Sequence, residues 1–184
     1  VFMHGLVERG LGDAVREAIA SGRPFLGICL GMQWLFDASE EQGPCPGLGL
    51  VPGRVVRIVP SAPHIKVPHI GWNRIAQRRP DPMLAGVADG AHVYFDHSYH
   101  AVPDDPALVA LGTDHGIALT AASRRDNIFA CQFHPEKSQA IGLQILRADL
   151  HEGVHLLLER GLHDFLGQAA RDPRLQRVEL TRQR

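Results

Sequence analysis

Cysteine, aromatic rings and uncompensated charge are all scarce in this sequence. Three cysteines, Cys29, Cys45 and Cys131, are spread over 184 residues. An odd, widely spaced set argues against a disulfide framework and fits a reducing cytoplasm. The formal net charge is -1, which removes the one-signed surface expected of a nucleic-acid binder. No apolar run approaches the ~18 residues of a membrane span. The opening stretch "VFMHGLVERG" lacks the charged-then-apolar plan of a signal peptide. Neither nucleic acid nor membrane is therefore an expected partner. Histidine is plentiful, at eleven, but no group of them carries the further ligands of a zinc site at the usual spacing, so no metal is expected. What is present is ordinary for a globular protein: 45% hydrophobic and 21% charged residues, in a length that suits one domain with a sizeable core.

Periodicity gives a coarse map. "GDAVREAIAS" (12–21) places Val15, Ala18 and Ile19 at helical spacing, with Gly22 as a C-terminal stop. "RPFLGI" (23–28) reads as a buried strand. "LGMQWLFDAS" (30–39) reads as a helix, with Met32, Leu35 and Phe36 on one face. Residues 40–53 are a Gly- and Pro-rich loop. Strands are expected at 54–59, 69–76, 92–99, 107–113, 116–123 and 127–133. Ser138 can cap a following helix that carries Ile141, Ile145, Leu146 and Leu150. Beyond Gly153 the helical period continues through Leu157, Leu158, Leu162, Phe165 and Leu166. The order predicts an α/β protein with an antiparallel or mixed section in its second half.

The stretch "FLGICLGMQWLF" (25–36) sets a thiol between two glycines, Gly27 and Gly31, at a strand-to-helix corner. Two readings fit. Cys29 is an inert core thiol flanked by small residues, or it is a nucleophile on a tight elbow. On the second reading the glycines remove Cβ atoms that would collide. The helix start favours the thiolate, and the N–H of Leu30 is placed to donate to an oxyanion. "FACQFHPEKS" (129–138) favours the nucleophile. A thiol needs a histidine to take and return its proton, and a carboxylate to fix the tautomer. Pro135 biases His134 toward extended backbone, where Glu136, two residues on, points the same way. A Cys29–His134–Glu136 triad follows.

"PFLGICLGMQ" and "QFHPEKS" together resemble the class I glutamine amidotransferases. "GLGLVPGRVVRI", "KVPHIGWN", "VYFDHSYHAVP" and "HPEKSQ" are similar to one branch, the glutaminase subunits of imidazole glycerol phosphate synthase. The resemblance runs from about Gly12 to about Leu150. It implies an open, mostly parallel sheet flanked by helices, with an antiparallel section, and glutamine hydrolysed to glutamate and ammonia. It implies no cofactor. It gives Cys29 as nucleophile, His134 as base and acid, and Glu136 as its orienter. It places Leu30 at the oxyanion, Gln33 against glutamine, and the backbone of Ser98 and Tyr99 around the substrate's amino and carboxylate groups. Trp72, Asn73, Tyr94 and Lys137 match positions facing a cyclase subunit, a (β/α)8 barrel that receives the ammonia in an allosterically coupled heterodimer. For Trp72 and Tyr94, plain core packing is the alternative.

The sequence departs from that family at both ends. A strand–helix–strand unit and a glycine-rich loop with a second oxyanion donor precede residue 1 in the family. Without them the sheet lacks strands and an unpaired edge is expected. The amidotransferase domain is thus expected at 1–150, incomplete at its N-terminus, with a helical extension at 151–184. Two alternatives remain at this point. One is another class I subunit, serving anthranilate, guanine-nucleotide or pyridoxal phosphate synthesis. The other is a catalytically silent subunit that only binds the cyclase.

Overall fold

The computed structural model describes residues 11–41, 43–152 and 155–157. Helix α1 (Leu11–Ala20) buries Val15 and Ile19, and Gly22, at φ 81°, turns the chain out of it. Strand β1 (Phe25–Ile28) is buried at every position. Helix α2 spans only Leu30–Trp34, and Phe36–Ser39 form strand β2. The single helix expected over 30–39 is therefore wrong in its second half. Met32, Leu35 and Phe36 are all fully buried, so the apolar pattern held, but the backbone from Phe36 pairs in a sheet with β4 (Val51–Arg57). Asp37 secures that switch by accepting the Gly53 N–H at 2.9 Å. Short-range periodicity cannot separate these outcomes for a brief apolar run.

The largest sheet has the order β12–β1–β11–β10–β9–β6, made with β6 (Ala76–Gln77), β9 (Val109–Asp114), β10 (Ala118–Arg125), β11 (Ile128–Cys131) and β12 (His155–Leu157). Only β12–β1 and β1–β11 are parallel; β11–β10, β10–β9 and β9–β6 are antiparallel. The expectation of a mostly parallel sheet is thus corrected among the described residues. Hairpin turns at 115–117 and at Asp126–Asn127 join consecutive strands, and such short connections serve only antiparallel pairs. Helix α3 (Gln139–Glu152) lies between β11 and β12, and β12 pairs parallel to β1.

One expectation changes here. His155–Leu157 form a strand, not the continued helix into which Leu157 was read. That strand forms one edge of the sheet, beside β1: Phe25 pairs with His155 and Gly27 with Leu157. An open strand edge offers backbone partners that outweigh a weak helical period. Leu158, Leu162, Phe165 and Leu166, with the rest of the expected extension, lie outside the described residues.

Two smaller sheets complete the fold. One has the order β3–β2–β4–β8, with β3 (Cys45–Pro46) and β8 (Tyr99–Pro103); the other pairs β5 (His69–Arg74) with β7 (His92–His97). Alternation along the central strands feeds two cores. Leu26 and Phe129 pack in one with Phe95, Phe133 and Ile145. Phe25, Ile128 and Ala130 pack in the other with Met32, Trp34 and Phe36. Strands buried on both faces read as unbroken apolar runs, which is why "FLGI" and "IFAC" were easy to place.

A buried ion pair pins the turn before β7. Asp81 accepts the Met83 N–H at 2.9 Å and faces Arg124 Nε at 3.4 Å. Asp81→Asn keeps an acceptor but removes the charge. It is expected to destabilise the fold by about 2 kcal/mol in denaturant titration.

Candidate active site

Cys29 sits at the corner between β1 and α2 with φ 51° and ψ -108°. A non-glycine residue there costs on the order of 1–3 kcal/mol, and such strain is held by its surroundings. The surroundings are visible. Cys29 N–H donates to the Cys131 carbonyl at 2.8 Å, fixing the elbow to β11, and its own carbonyl accepts from Gln33 N–H at 3.2 Å. A Cβ at Gly27 would lie 3.0 Å from the Gly31 oxygen and 3.1 Å from Met32 N, so the turn is tight where the sequence predicted it. Cys29 is 7% exposed. Gln132 Nε2 donates toward Sγ at 3.6 Å, and Sγ lies 4.0 Å from the Asp96 carbonyl. Leu30, half-buried, opens α2 directly after the nucleophile position.

His134 follows β11, the parallel neighbour of β1, so both side chains stand beyond the carboxyl ends of adjacent strands. Its backbone is extended (φ -100°, ψ 96°), as Pro135 requires, but Pro135–Lys137 then form a 3-10 turn rather than continuing extended. Glu136 still reaches His134: Nδ1 lies 2.7 Å from Oε1. With Nδ1–H donating to the carboxylate, Nε2 is the free ring nitrogen. Ser138 does not act as a side-chain helix cap. Its hydroxyl donates to the His134 carbonyl at 2.6 Å and accepts the Tyr94 N–H at 2.9 Å. His134 N–H also donates to the Tyr94 carbonyl at 2.8 Å. The hydroxyl thus stitches the H-P-E turn to β7.

Gln33 is buried and donates through Nε2 to the Tyr99 carbonyl and to Gln132 Oε1, both at 2.9 Å. The Ser98 carbonyl accepts from Ile58 N–H at 2.9 Å, and Arg57 stacks over the Tyr99 ring. Gln132 escaped the sequence reading. It lies two residues before His134 and is fully buried, and a glutamine within a strand-end apolar run is the one signal that could have marked it.

Trp72 and Tyr94 are cross-strand partners in β5 and β7, edge to face at 6.0 Å, and Lys137 Nζ lies 5.7 Å above the Tyr94 ring. Trp72 is 47% exposed, so core packing does not describe it. Asn73 points elsewhere: its Nδ2 donates to the Asp114 carbonyl at 2.8 Å and reaches His69 Nε2 at 3.0 Å.

Burial pushes His69 down to about 3 and His97 to about 4 from the ordinary 6.5, with neighbouring imidazoles acting the same way. The unfolded chain therefore takes up protons on both near pH 6.5, and the fold only near 3 to 4. Their contribution to stability is complete above 6.5 and is lost as pH falls toward 4, by up to about 1.4 kcal/mol per pH unit for each. Denaturant midpoints should fall between pH 7 and pH 5, and fall less in His97→Asn.

Among the described residues no group of three or more candidate ligands could hold a metal, and no helix is long and apolar enough to cross a membrane. His151-Glu152-x-x-His155 matches a zinc-protease spacing that must lie on one helix. Here α3 ends at Glu152 and His155 opens β12, so that helical face is not formed.

Residues 8–152 match the family model described as glutamine amidotransferase class-I. The imidazole glycerol phosphate synthase subunit HisH of Geobacillus thermodenitrificans (strain NG80-2) is 52% identical over 147 residues, covering 78% of this chain and 68% of that protein. The subunit HisH of Synechococcus sp. (strain JA-3-3Ab) is 52% identical over 147 residues, covering 79% and 67%. The chain spans about two thirds of the length of these curated relatives. A crystal structure of a glutamine amidotransferase from Thermotoga maritima aligns with TM-score 0.53 at 17% identity, over 78% of this chain and 54% of that one. The last likeness is one of fold.

Proposed function

The chain belongs to the class-I glutamine amidotransferase family, in the branch of the imidazole glycerol phosphate synthase HisH subunits, and on that premise we propose that Cys29, His134 and Glu136 hydrolyse glutamine for a cyclase partner. The observation that carries this is the 2.7 Å His134–Glu136 hydrogen bond, set beside the strained elbow of Cys29. The Cys29 thiol passes its proton to His134 Nε2, the thiolate attacks the γ-carboxamide carbon, and the oxyanion that forms is met by the Leu30 N–H. His134 Nε2 gives its proton to the leaving nitrogen. Ammonia departs and a γ-glutamyl thioester remains on Sγ. His134 then takes a proton from water, whose oxygen attacks the thioester, and the C–S bond breaks to release glutamate and restore the thiolate. Glu136 keeps Nδ1 protonated and stabilises the imidazolium in both half-reactions. Gln33 and the backbone at Ser98 and Tyr99 hold the amino-acid end of the substrate.

The exposed Trp72–Tyr94–Lys137 cluster suits a docking face, since aromatic rings with a cationic rim are enriched where proteins meet. The partner is the cyclase (β/α)8 barrel, which takes up the ammonia before it reaches solvent, in the cytoplasm. The 52% identity to a HisH subunit favours this over subunits for anthranilate, guanine-nucleotide or pyridoxal phosphate synthesis. The test is glutamate formation from glutamine by the chain mixed with the cyclase and its nucleotide ligand. Turnover supports the enzyme; binding to the cyclase with no turnover supports a silent subunit instead.

A further inference from the structure

A hydrogen-bonded line of side chains runs inward from the face that carries Trp72. Asn73 Oδ1 accepts the Arg74 N–H at 2.8 Å, which fixes the amide and turns Nδ2 toward His69 Nε2, 3.0 Å away. His69 Nε2 is therefore an acceptor, and its Nδ1–H donates to His97 Nε2 at 2.9 Å. His97 Nδ1–H donates in turn to the Tyr99 carbonyl at 2.8 Å. The same carbonyl accepts from Gln33, whose Nε2 also donates to Gln132, and Gln132 Nε2 donates toward Cys29 Sγ. Every donor in the line meets an acceptor, and each ring has one tautomer that allows this.

We propose that His69 and His97 are positioning residues: as a neutral pair they fix the Tyr99 carbonyl, at the glutamine site, to strand β5 at the partner face, and through Gln33 and Gln132 to the Cys29 thiol. This rests on the glutaminase reading above. The pair is buried, and His69 lies between the Phe95 and His115 rings, 4.5 and 4.1 Å from their centroids, so its ring plane is set. A second proton on either ring would place two N–H groups face to face, at Asn73 or between the imidazoles. Among the described residues, the ionisable groups acting on the pair are His100, His115 and His134 besides each other. None is an anion, and the low values of both rings agree with a line built for neutral imidazole. Asn73 selects the His69 tautomer. Without its N–H, His69 is free to carry its proton on Nε2 and stop donating to His97.

The test is glutamine turnover at saturating cyclase, with cyclase affinity measured separately. His69→Ala is expected to raise KM for glutamine by about tenfold, with the loss of one buried donor, while cyclase affinity stays within about twofold. His69→Asn, whose amide donates from the Nδ1 position, is expected to return KM to within about threefold of the wild type, which lost packing alone would not do. Asn73→Ala should raise KM several-fold alone and have no further effect in a His69→Ala background, the signature of one connected line. Should His69→Ala fail to fold, His69→Asn and Asn73→Ala still carry the comparison. An unchanged KM in His69→Ala, Asn no better than Ala at position 69, or independent effects in the double variant would each overturn the proposal. A wild-type complex that binds cyclase but releases no glutamate sinks the glutaminase reading instead.

Discussion

Replacing Cys29 by alanine is expected to lower glutamine turnover in the cyclase complex by at least about a thousandfold. The expectation follows from what remains in the variant. Alanine carries no sulfur, so no thioester forms. The His134–Glu136 pair, held by Ser138 and the Tyr94 backbone, could at most activate water against an amide. Alanine also meets the positive φ of the elbow without any functional return, so stability should change little while activity collapses. Cyclase affinity serves as the control. It should match that of the unaltered chain, because the Trp72 face is formed by β5 and β7 and not by the elbow. Turnover within about tenfold of normal would mean that another group is the nucleophile.

Gly142→Ala is expected to destabilise the fold by about 3 kcal/mol, although alanine is the better helix former by about 1 kcal/mol. A Cβ at Gly142 would fall 1.8 Å from the Pro135 oxygen and 2.6 Å from its carbonyl carbon. Those atoms are backbone of the H-P-E turn, and Gly142 N–H also donates to the Ser138 carbonyl at 3.1 Å. Relief of the clash requires α3 to move away from the turn or the turn to move away from β7. The second route displaces His134, so turnover should fall with stability. A variant as stable as the parent in denaturant titration would show that the close approach of α3 to Pro135 is not a feature of the protein.

The elbow was legible in the sequence because its constraint is local. A buried strand, a residue forced to positive φ and glycine at the crowded position all lie within "FLGICLG". The His134–Glu136 contact was legible for a similar reason, since Pro135 limits the backbone between them, though the turn that joins them is 3-10 and not extended. Non-local pairing was not legible. Phe36–Ser39 leave the helix because β4 supplies partners from residues 51–57. His155–Leu157 become a strand because β1 offers an edge. The sheet is less parallel than the family resemblance implied, because two short turns force hairpins at β9–β10–β11. At the site, Gln132, His69 and His97 escaped notice since nothing in their immediate neighbours marks them. Their chemistry appears only when β5, β7 and β11 bring them to Tyr99 and Cys29. Ser138 stands before a helix as a cap would, and its hydroxyl serves the turn on its other side.

Rapid acid quench of the cyclase complex during glutamine turnover, followed by peptide mass analysis, reads the proposed covalent intermediate on Cys29. A glutamyl adduct is expected on the peptide carrying Cys29 and on neither peptide carrying Cys45 or Cys131. It should be absent from Cys29→Ala, and it should persist longer when water attack is slowed by His134→Ala in complexes that still acylate. Glutamate released at an undiminished rate with no adduct on Cys29, or an adduct on another cysteine, would contradict the assignment.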